Sequence, residues 1–335
     1  MHLPRELASD GASGCLGLLG ATSFVGRAIL GRWLGQDPSP SARSIVAFTR
    51  SQDAPPDAAR GPGIAWRSLS RAVADDGATI PTWVTVCPVW AVPDAFPRLE
   101  AAGARRLVLV SSTSRFTRQH AQTPPDRALA ARIAAAEDTV LEWADRRGVM
   151  TTILRPTMIY DGVHDRNVAR IAACIRRLGF FPVAGRAAGL RQPVHVDDVA
   201  SACLAAAAIP PSGAGGRVEP GGPEGLRTAY ELSGGEVLSF REMVHRIFGW
   251  LGRRPWILGV PLPLVRAAVP LVSLVPAIGS VAAMAIRMNQ DMVFDHAAAA
   301  RDLGFSPRPF SLSPIGDPDH DADRSGAPAA KVPFP

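Results

Sequence analysis

The sequence predicts an α/β fold: a doubly wound parallel sheet with helices on both faces, followed by a smaller C-terminal α/β part. Three observations predict it. Short β-branched apolar runs recur through the first half, separated by stretches of helical length, as in parallel strands buried on both faces. The clearest of those stretches spaces its apolar residues by four, three, four and three, which is one face of a helix. A glycine-bounded turn stands between the first apolar run and the first helical pattern.

The elements follow in order. Cys15–Leu19 is a short apolar strand, and the turn Gly20-Ala21-Thr22-Ser23-Phe24-Val25-Gly26 follows it. Phe24–Leu34 is a helix with Val25, Ile29, Leu30 and Trp33 for its buried stripe. Ser44–Thr49 is the second strand, residues 53–63 a loop rich in Pro, Ala and Asp, and residues 64–69 a third strand. Further apolar runs occupy residues 83–87, 106–110 and 150–154. Residues 126–147 form the long helix, with Leu129, Ile133, Ala136, Val140 and Trp143 as its stripe. After Arg155-Pro156 the pattern changes. A helix over 167–178 carries basic residues on its outer face, 186–191 is a loop, and 192–196 is a strand. A helix over 197–208 takes Asp197 as its expected cap. Residues 210–225 are a Pro/Gly connection, 230–233 a strand of the smaller part, and 239–251 a helix opened by the capping pair Ser239 and Glu242. From Ser313 onward Asp, Pro, Gly and Ala dominate, which predicts a disordered tail.

Composition excludes several classes. The chain has 335 residues, of which 47% are hydrophobic and 20% charged, so it is globular and long enough to bury a large core. Its net charge of +6 comes almost wholly from scattered arginines. No basic stripe with interleaved aromatics appears, which argues against nucleic acid. The four cysteines are far apart and make no C-x-x-C pair, so neither a metal site nor a disulfide framework is expected. They fit buried thiols in a reducing compartment, and a cytoplasmic location is expected. Residues 1–14 are polar and lack the apolar centre of a signal peptide. Residues 267–286 carry no charge, are closed by Arg266 and Arg287, and are interrupted by Pro270, Pro276 and Gly279. A buried helical pair is the expected structure, and contact with a membrane or a protein partner is the alternative.

The glycine turn carries the first functional expectation. A dinucleotide needs backbone amides at a helix N-terminus facing its pyrophosphate, and room for that approach. Gly20 makes the tight turn and Gly26 lets the helix pack against the strand. Ser23 stands where a middle glycine is usual, and its hydroxyl is available to a phosphate. The turn follows a strand and opens a helix, which is the context a Rossmann-type site requires. Gly20, Thr22, Ser23, Phe24, Val25 and Gly26 are therefore the expected cofactor contacts, with Thr49, Arg50 and Ser111. An acidic residue after the second strand would bind the adenosine ribose; Arg50 suits a 2′-phosphate instead, so NADP is expected and NAD is the alternative.

Several motifs in order resemble the extended short-chain dehydrogenase/reductase superfamily, in its NAD-dependent epimerase/dehydratase branch, whose members act on nucleoside-diphosphate sugars. They are the glycine turn, Leu109-Val-Ser-Ser-Thr113, Ile153-Leu-Arg-Pro-Thr-Met-Ile-Tyr160, Gln192-Pro-Val-His-Val-Asp-Asp-Val-Ala200 and Ala300-Arg-Asp-Leu-Gly-Phe305. The resemblance implies a cofactor domain from 14–156 and 192–210, a substrate part from 157–191 and 211–312, and flexible ends over 1–13 and 313–335. It implies a catalytic hydroxyl at Thr113, with Ser112 as the fallback. It also implies a Tyr-x-x-x-Lys pair on the long helix, and there this chain departs. By register against Glu137 the two positions hold Leu129 and Ile133. The chain's one lysine is Lys331 and its two tyrosines are Tyr160 and Tyr230.

Leucine and isoleucine can neither exchange the proton that accompanies hydride transfer nor lower a neighbour's pKa. Arg127 and Arg132 lie nearby and suit a phosphate or ribose, but arginine does not titrate near neutral pH. His164 is the expected replacement acid, in the loop after Tyr160; His195 is a weaker candidate. Asp197 and Asp198 are expected as caps and hydrogen-bond acceptors, and Arg155 as an anchor with a lesser expectation of meeting substrate phosphate.

Two functions follow. The first is an atypical NAD(P)-dependent reductase, epimerase or dehydratase on a nucleotide sugar or similar polar small molecule, working by a non-standard proton relay, with Arg170, Arg176 and Arg177 available to a diphosphate and a homodimer as a reasonable assembly. The second is a non-catalytic NADP(H)-binding sensor or assembly subunit.

Overall fold

The computed structural model describes residues 15–35, 44–50, 61–69, 79–121, 123–209, 227–265 and 285–312. The polar start, most of the 53–63 loop, the 210–225 connection, nearly all of the uncharged run at 267–286 and the tail from Ser313 lie outside those residues.

In chain order the elements are β1 (Cys15–Leu19), α1 (Phe24–Leu34), β2 (Ser44–Thr49), β3 (Ile64–Ser68), β4 (Thr82–Thr85), α2 (Phe96–Ala101), β5 (Arg106–Val110), α3 (Ser114–Thr117) and α4 (Pro124–Arg147). Then come β6 (Met150–Pro156), β7 (Ile159–Tyr160), α5 (Val168–Leu178), β8 (Phe181–Ala184), β9 (Leu190–Arg191), β10 (Val194–His195) and α6 (Val196–Ala208). The last are β11 (Arg227–Leu232), β12 (Leu238–Ser239), α7 (Phe240–Trp250), β13 (Ile257–Val260) and α8 (Ala297–Leu303).

Seven strands form one sheet in the order β3-β2-β1-β4-β5-β6-β11, every neighbour parallel. This is the doubly wound Rossmann sheet, with strand ends that open toward a ligand at the carboxyl side. One face is covered by α1, α6 and α8, whose Ile29, Val199, Cys203 and Leu303 join a single core. The other is covered by α2 and α4, with Leu99, Ile133, Val140 and Trp143. A third core gathers α5, α7, β7 and β8 around Ile171, Phe181, Met243 and Phe248.

The predicted limits of β1, α1, β2 and β5 coincide with the observed ones. Two expectations are corrected. The strand expected at 230–233 is β11 and pairs with β6 in the large sheet, not in the smaller part. Its tie is partly polar: Arg227 holds Asp145 of α4. The strand expected at 192–196 shrinks to β10, because Pro193 has no N–H to give a ladder and His195 is already the cap of α6.

Gly17 shows how sequence sets the packing. It lies opposite Trp83 in the β1–β4 register, and a Cβ there would stand 2.5 Å from the indole ring. Trp83 is fully buried, stacks on Phe48 of β2 at 5.2 Å, and donates its N–H to the Ile80 carbonyl at 2.7 Å. A glycine in a central strand is the space that this ring fills. We expect Gly17→Ala to lose about 1–3 kcal/mol of unfolding free energy, measured by urea denaturation. Adding Trp83→Phe should recover part of that loss. A fully additive double variant would contradict the packing account.

Candidate active site

The glycine turn stands at the carboxyl end of β1, in the middle of the sheet. Gly20 has φ +82°, and a Cβ on it would lie 2.7 Å from the backbone nitrogen of Cys87. A Cβ on Gly26 would lie 2.3 Å from the Gly20 carbonyl oxygen. Both positions therefore require glycine, and their close approach seats α1 directly against the strand end. Ser23 caps α1: its hydroxyl accepts the Gly26 N–H at 3.1 Å and lies 3.4 Å from the Val86 carbonyl. The hydroxyl expected at a phosphate is thus used in holding the turn. The amides of Phe24 and Val25 precede the first intrahelical bond, and no acidic side chain stands in the first turn. That donor set and polarity fit the phosphates of a dinucleotide. Thr22 is exposed; the Val25 side chain is buried in the core, so only its backbone faces such a group. Thr49 ends β2 in a buried position and Arg50 follows it exposed. Burial raises the Cys87 thiol above its usual pKa, which leaves it protonated beside the turn.

The second half of the site follows β5. Thr113 is buried, and its hydroxyl donates to the Pro156 carbonyl at 3.2 Å. The Ser112 hydroxyl accepts the Ser114 N–H at 3.1 Å. Ser111 donates to Glu137. Glu137 sits on α4 with no exposed surface and takes three further contacts: Arg115 at 2.6 Å, and Arg155 through Nη2 at 2.7 Å and Nε at 3.3 Å. Sequence reasoning used Glu137 only as a register mark. The signal was a carboxylate beside the apolar stripe of a helix that the pattern itself buries, which demands cationic partners. One turn and two turns before it, Ile133 is buried and Leu129 packs against the same core. Arg127 donates to the Ala121 carbonyl at 2.8 Å, and Arg132 lies 4.2 Å over the Trp90 ring.

The histidine candidates lie elsewhere. His164 Nδ1 is 2.8 Å from Asp161, and its amide donates to the same carboxylate at 2.7 Å. Burial pushes Asp161 upward, but the ring of His164 and the amides of Val163 and His164 outweigh it and hold the carboxyl below its usual pKa. Asp165 is raised by burial, only partly offset by the amides it accepts. No hydrogen bond, ion pair or ring contact among the described residues joins His164 to Ser112 or Thr113.

His195, not Asp197, caps α6: Nδ1 accepts the Asp197 N–H at 3.2 Å. Imidazole nitrogen reaches that amide because the chain enters the helix directly from β10. Asp198 behaves as expected, accepting Arg308 side-chain bonds at 3.0 and 2.8 Å and the Arg308 amide at 3.0 Å. Tyr160 is sealed against His195 and Phe310, with its hydroxyl 3.5 Å from the Pro309 carbonyl and 3.2 Å from the Ser311 N–H. Burial raises its pKa, partly offset by the Ser311 N–H, so it remains a neutral phenol.

Two predictions follow. Glu137→Ala would remove the near carboxylate from buried Arg155 and leave it the Glu231 carboxylate at 3.9 Å, and about 3 kcal/mol should be lost in chemical denaturation. Burial lowers the His195 pKa from 6.5, with Arg308 adding to the effect and nearby Asp197, Asp198 and Asp161 opposing it. A lowered histidine pKa means the unfolded chain binds the proton first as pH falls. Stability from His195 should thus be whole above pH 6.5 and decline below it. His195→Asn keeps a side-chain cap and should flatten that acid limb; an unchanged pH profile would contradict the assignment.

Known proteins resemble the chain in part of its sequence and in its fold. A model of the NAD dependent epimerase/dehydratase family matches residues 94–218. A curated Arabidopsis thaliana protein, NADH dehydrogenase [ubiquinone] 1 alpha subcomplex subunit 9, mitochondrial, is 28% identical over 202 residues, 57% of this chain and 46% of its own length. The chain thus spans less than half of that relative. Among solved structures, UDP-N-acetylglucosamine 4-epimerase from Bacillus cereus superposes with a TM-score of 0.61 at 13% identity, covering 96% of this chain and 99% of the other. MoeE5, solved with UDP-glucose and NAD, gives 0.57 at 18% identity, covering 88% and 94%. These likenesses concern the fold. Across its middle, on a seven-stranded Rossmann sheet, the chain is similar to the NAD dependent epimerase/dehydratase family.

Proposed function

We propose that this chain holds a nicotinamide dinucleotide, NADP(H) in preference to NAD(H), and uses it as a bound ligand rather than turning it over through the family's usual proton exchange. One observation carries the reading. The nucleotide turn keeps the two glycines that close backbone approach requires, with Ser23 between them, while the positions expected to exchange a proton are Leu129 and Ile133 in an apolar core. The polar groups beside them are already engaged: Thr113 with Pro156, Ser112 with Ser114, and Ser111 with Glu137. In this reading the α1 amides bind phosphate, Arg50 meets the 2′-phosphate from its exposed position after β2, and Ser111 borders the site. A bound nicotinamide supplies hydride donation or acceptance. The protein then acts as a redox sensor or an assembly subunit. The curated relative's name, a subunit of NADH dehydrogenase, supports the assembly role.

A second reading keeps catalysis. It is favoured by the His164–Asp161 pair, a carboxylate-oriented imidazole of the kind used in general acid catalysis, on the chain segment after β7. The substrate would be a nucleotide sugar, like the UDP-glucose and UDP-glucuronic acid held by the structurally similar MoeE5. It would sit between the cofactor part, 14–156 with 192–210 and β11, and a substrate part built from 157–191 and the rest of 211–312. Of the arginines offered to its diphosphate, Arg176 lies 5.6 Å over the Trp250 ring.

NADPH fluorescence enhancement measures binding, and hydride transfer to or from a panel of nucleotide sugars measures turnover. We expect the first without the second. Arg50→Ala should weaken NADPH by about tenfold or more and leave NADH unchanged. An unchanged NADPH preference would remove Arg50 from the site. Turnover abolished by His164→Ala would establish the second reading, and no association of either nucleotide at millimolar concentration would end both.

A further inference from the structure

β8 and β13 form a two-stranded parallel sheet with Leu258 beside Pro182 and Ile257 beside Phe181. Strand alternation sends Phe181, Val183 and Ile257 to the third core. The same alternation puts Phe180, Pro182, Trp256 and Leu258 on the opposite face. Trp256 is 62% exposed and Leu258 47%, and the Phe180 ring lies 5.5 Å from the indole. Leu178, 48% exposed, ends α5, and Leu264, 63% exposed, follows β13. Phe180, Trp256 and Leu258 gathered on one strand face in this way mark a contact surface, with Leu178 and Leu264 exposed on the adjoining chain.

The exposed charge around this face is predominantly positive, with Glu236 and Glu242 both paired to Arg246. Residues 166–190 and 243–265 together hold eight arginines and no aspartate or glutamate. Arg170, Arg176, Arg177, Arg186, Arg253 and Arg254 are all exposed. Arg253 reaches across to the Ile175 carbonyl at 2.9 Å, tying the β13 side to α5. A cleft of about 450 Å³ beside Trp256 is lined by Arg241, Glu242, His245 and Pro255. Glu242 on its rim is ion-paired with Arg246 at 3.1 Å, so it does not reverse the local sign.

We propose that this face docks on an anionic lipid bilayer, laying Trp256, Leu258 and Leu264 among the headgroups while Arg176, Arg177, Arg253 and Arg254 meet lipid phosphates. Indole rings settle at the membrane interface because one edge is polar and the rest apolar. Arginine stems lie along apolar surface while the planar guanidinium grips phosphate. Each arginine near an anionic surface adds about fivefold in affinity. Among the described residues no helix is long and apolar enough to cross a membrane. Aliphatic leucines on the contact face offer nothing to stacked bases, which separates this surface from a nucleic-acid site. The proposal is independent of nucleotide binding.

The test is flotation of the full chain with vesicles of phosphatidylcholine alone and of phosphatidylcholine with a quarter phosphatidylglycerol. The protein should float with the second and stay behind with the first, and high salt should weaken the association. W256E/L258E should reduce partition by about tenfold or more. R253E/R254E should lower it by a similar factor, specifically on the anionic vesicles. R253E also removes the bond to the Ile175 carbonyl and W256E the contact with Phe180, so each variant is first matched to the wild type by circular dichroism, and R254E alone, which removes neither, should weaken flotation in the same direction. Wild-type protein that ignores anionic vesicles, or W256E/L258E that floats equally well, overturns the proposal. So does a lipid-free dimer that W256E/L258E converts to monomer, because the face would then be a contact between copies.

Discussion

A carboxylate with no access to water holds the chain segments after β5 together. Glu137 receives a hydroxyl and two guanidinium groups, and each comes from a different stretch of chain: Ser111 after β5, Arg115 on α3 and Arg155 on β6. A buried charge is tolerated only when such partners surround it, so the four groups fix one another. Phe116 closes the cluster, with Arg155 5.2 Å from its ring. The consequence is positional. The Ser111–Thr113 turn is held at both ends, by Glu137 and by the Pro156 carbonyl, whatever the neighbouring helix positions contain.

That arrangement explains how α4 carries Leu129 and Ile133 and still holds its place in the fold. The helix is anchored by its buried acid and by its far end, where Trp143 and Arg147 bond Glu100 of α2. Ile133 and Leu129 on that helix add to the apolar core beside the sheet. The nucleotide turn has no freedom at its two glycines, because both abut backbone atoms.

Much of the fold was legible because its signals are local. Alternating apolar runs and the stripe of α4 fixed the first half, and a turn hemmed in by backbone could hold only glycine at Gly20 and Gly26. What was hidden depends on distant partners. β11 looked like the start of a new unit because nothing in Arg227–Leu232 says that its neighbour is β6. β8 and β13 are too short, and too interrupted by Pro182 and Gly259, to announce a sheet. Asp197 had the usual residue type for a helix cap, yet the histidine two positions earlier performs that task. Arg115 was invisible because only the tertiary fold brings it to Glu137.

The order of the sheet has a consequence for biogenesis. Its outermost strand on one side, β11, is synthesised long after β6, with α5 and α6 in between. Until residue 232 leaves the ribosome, β6 presents bare main-chain donors and acceptors along an apolar border. Such a border is a template for wrong pairing between nascent chains, and its late closure raises the sequence separation that folding must bridge. A cell making this protein quickly therefore needs something to shield that border, and slower translation or a holding chaperone would raise the yield of correctly assembled molecules.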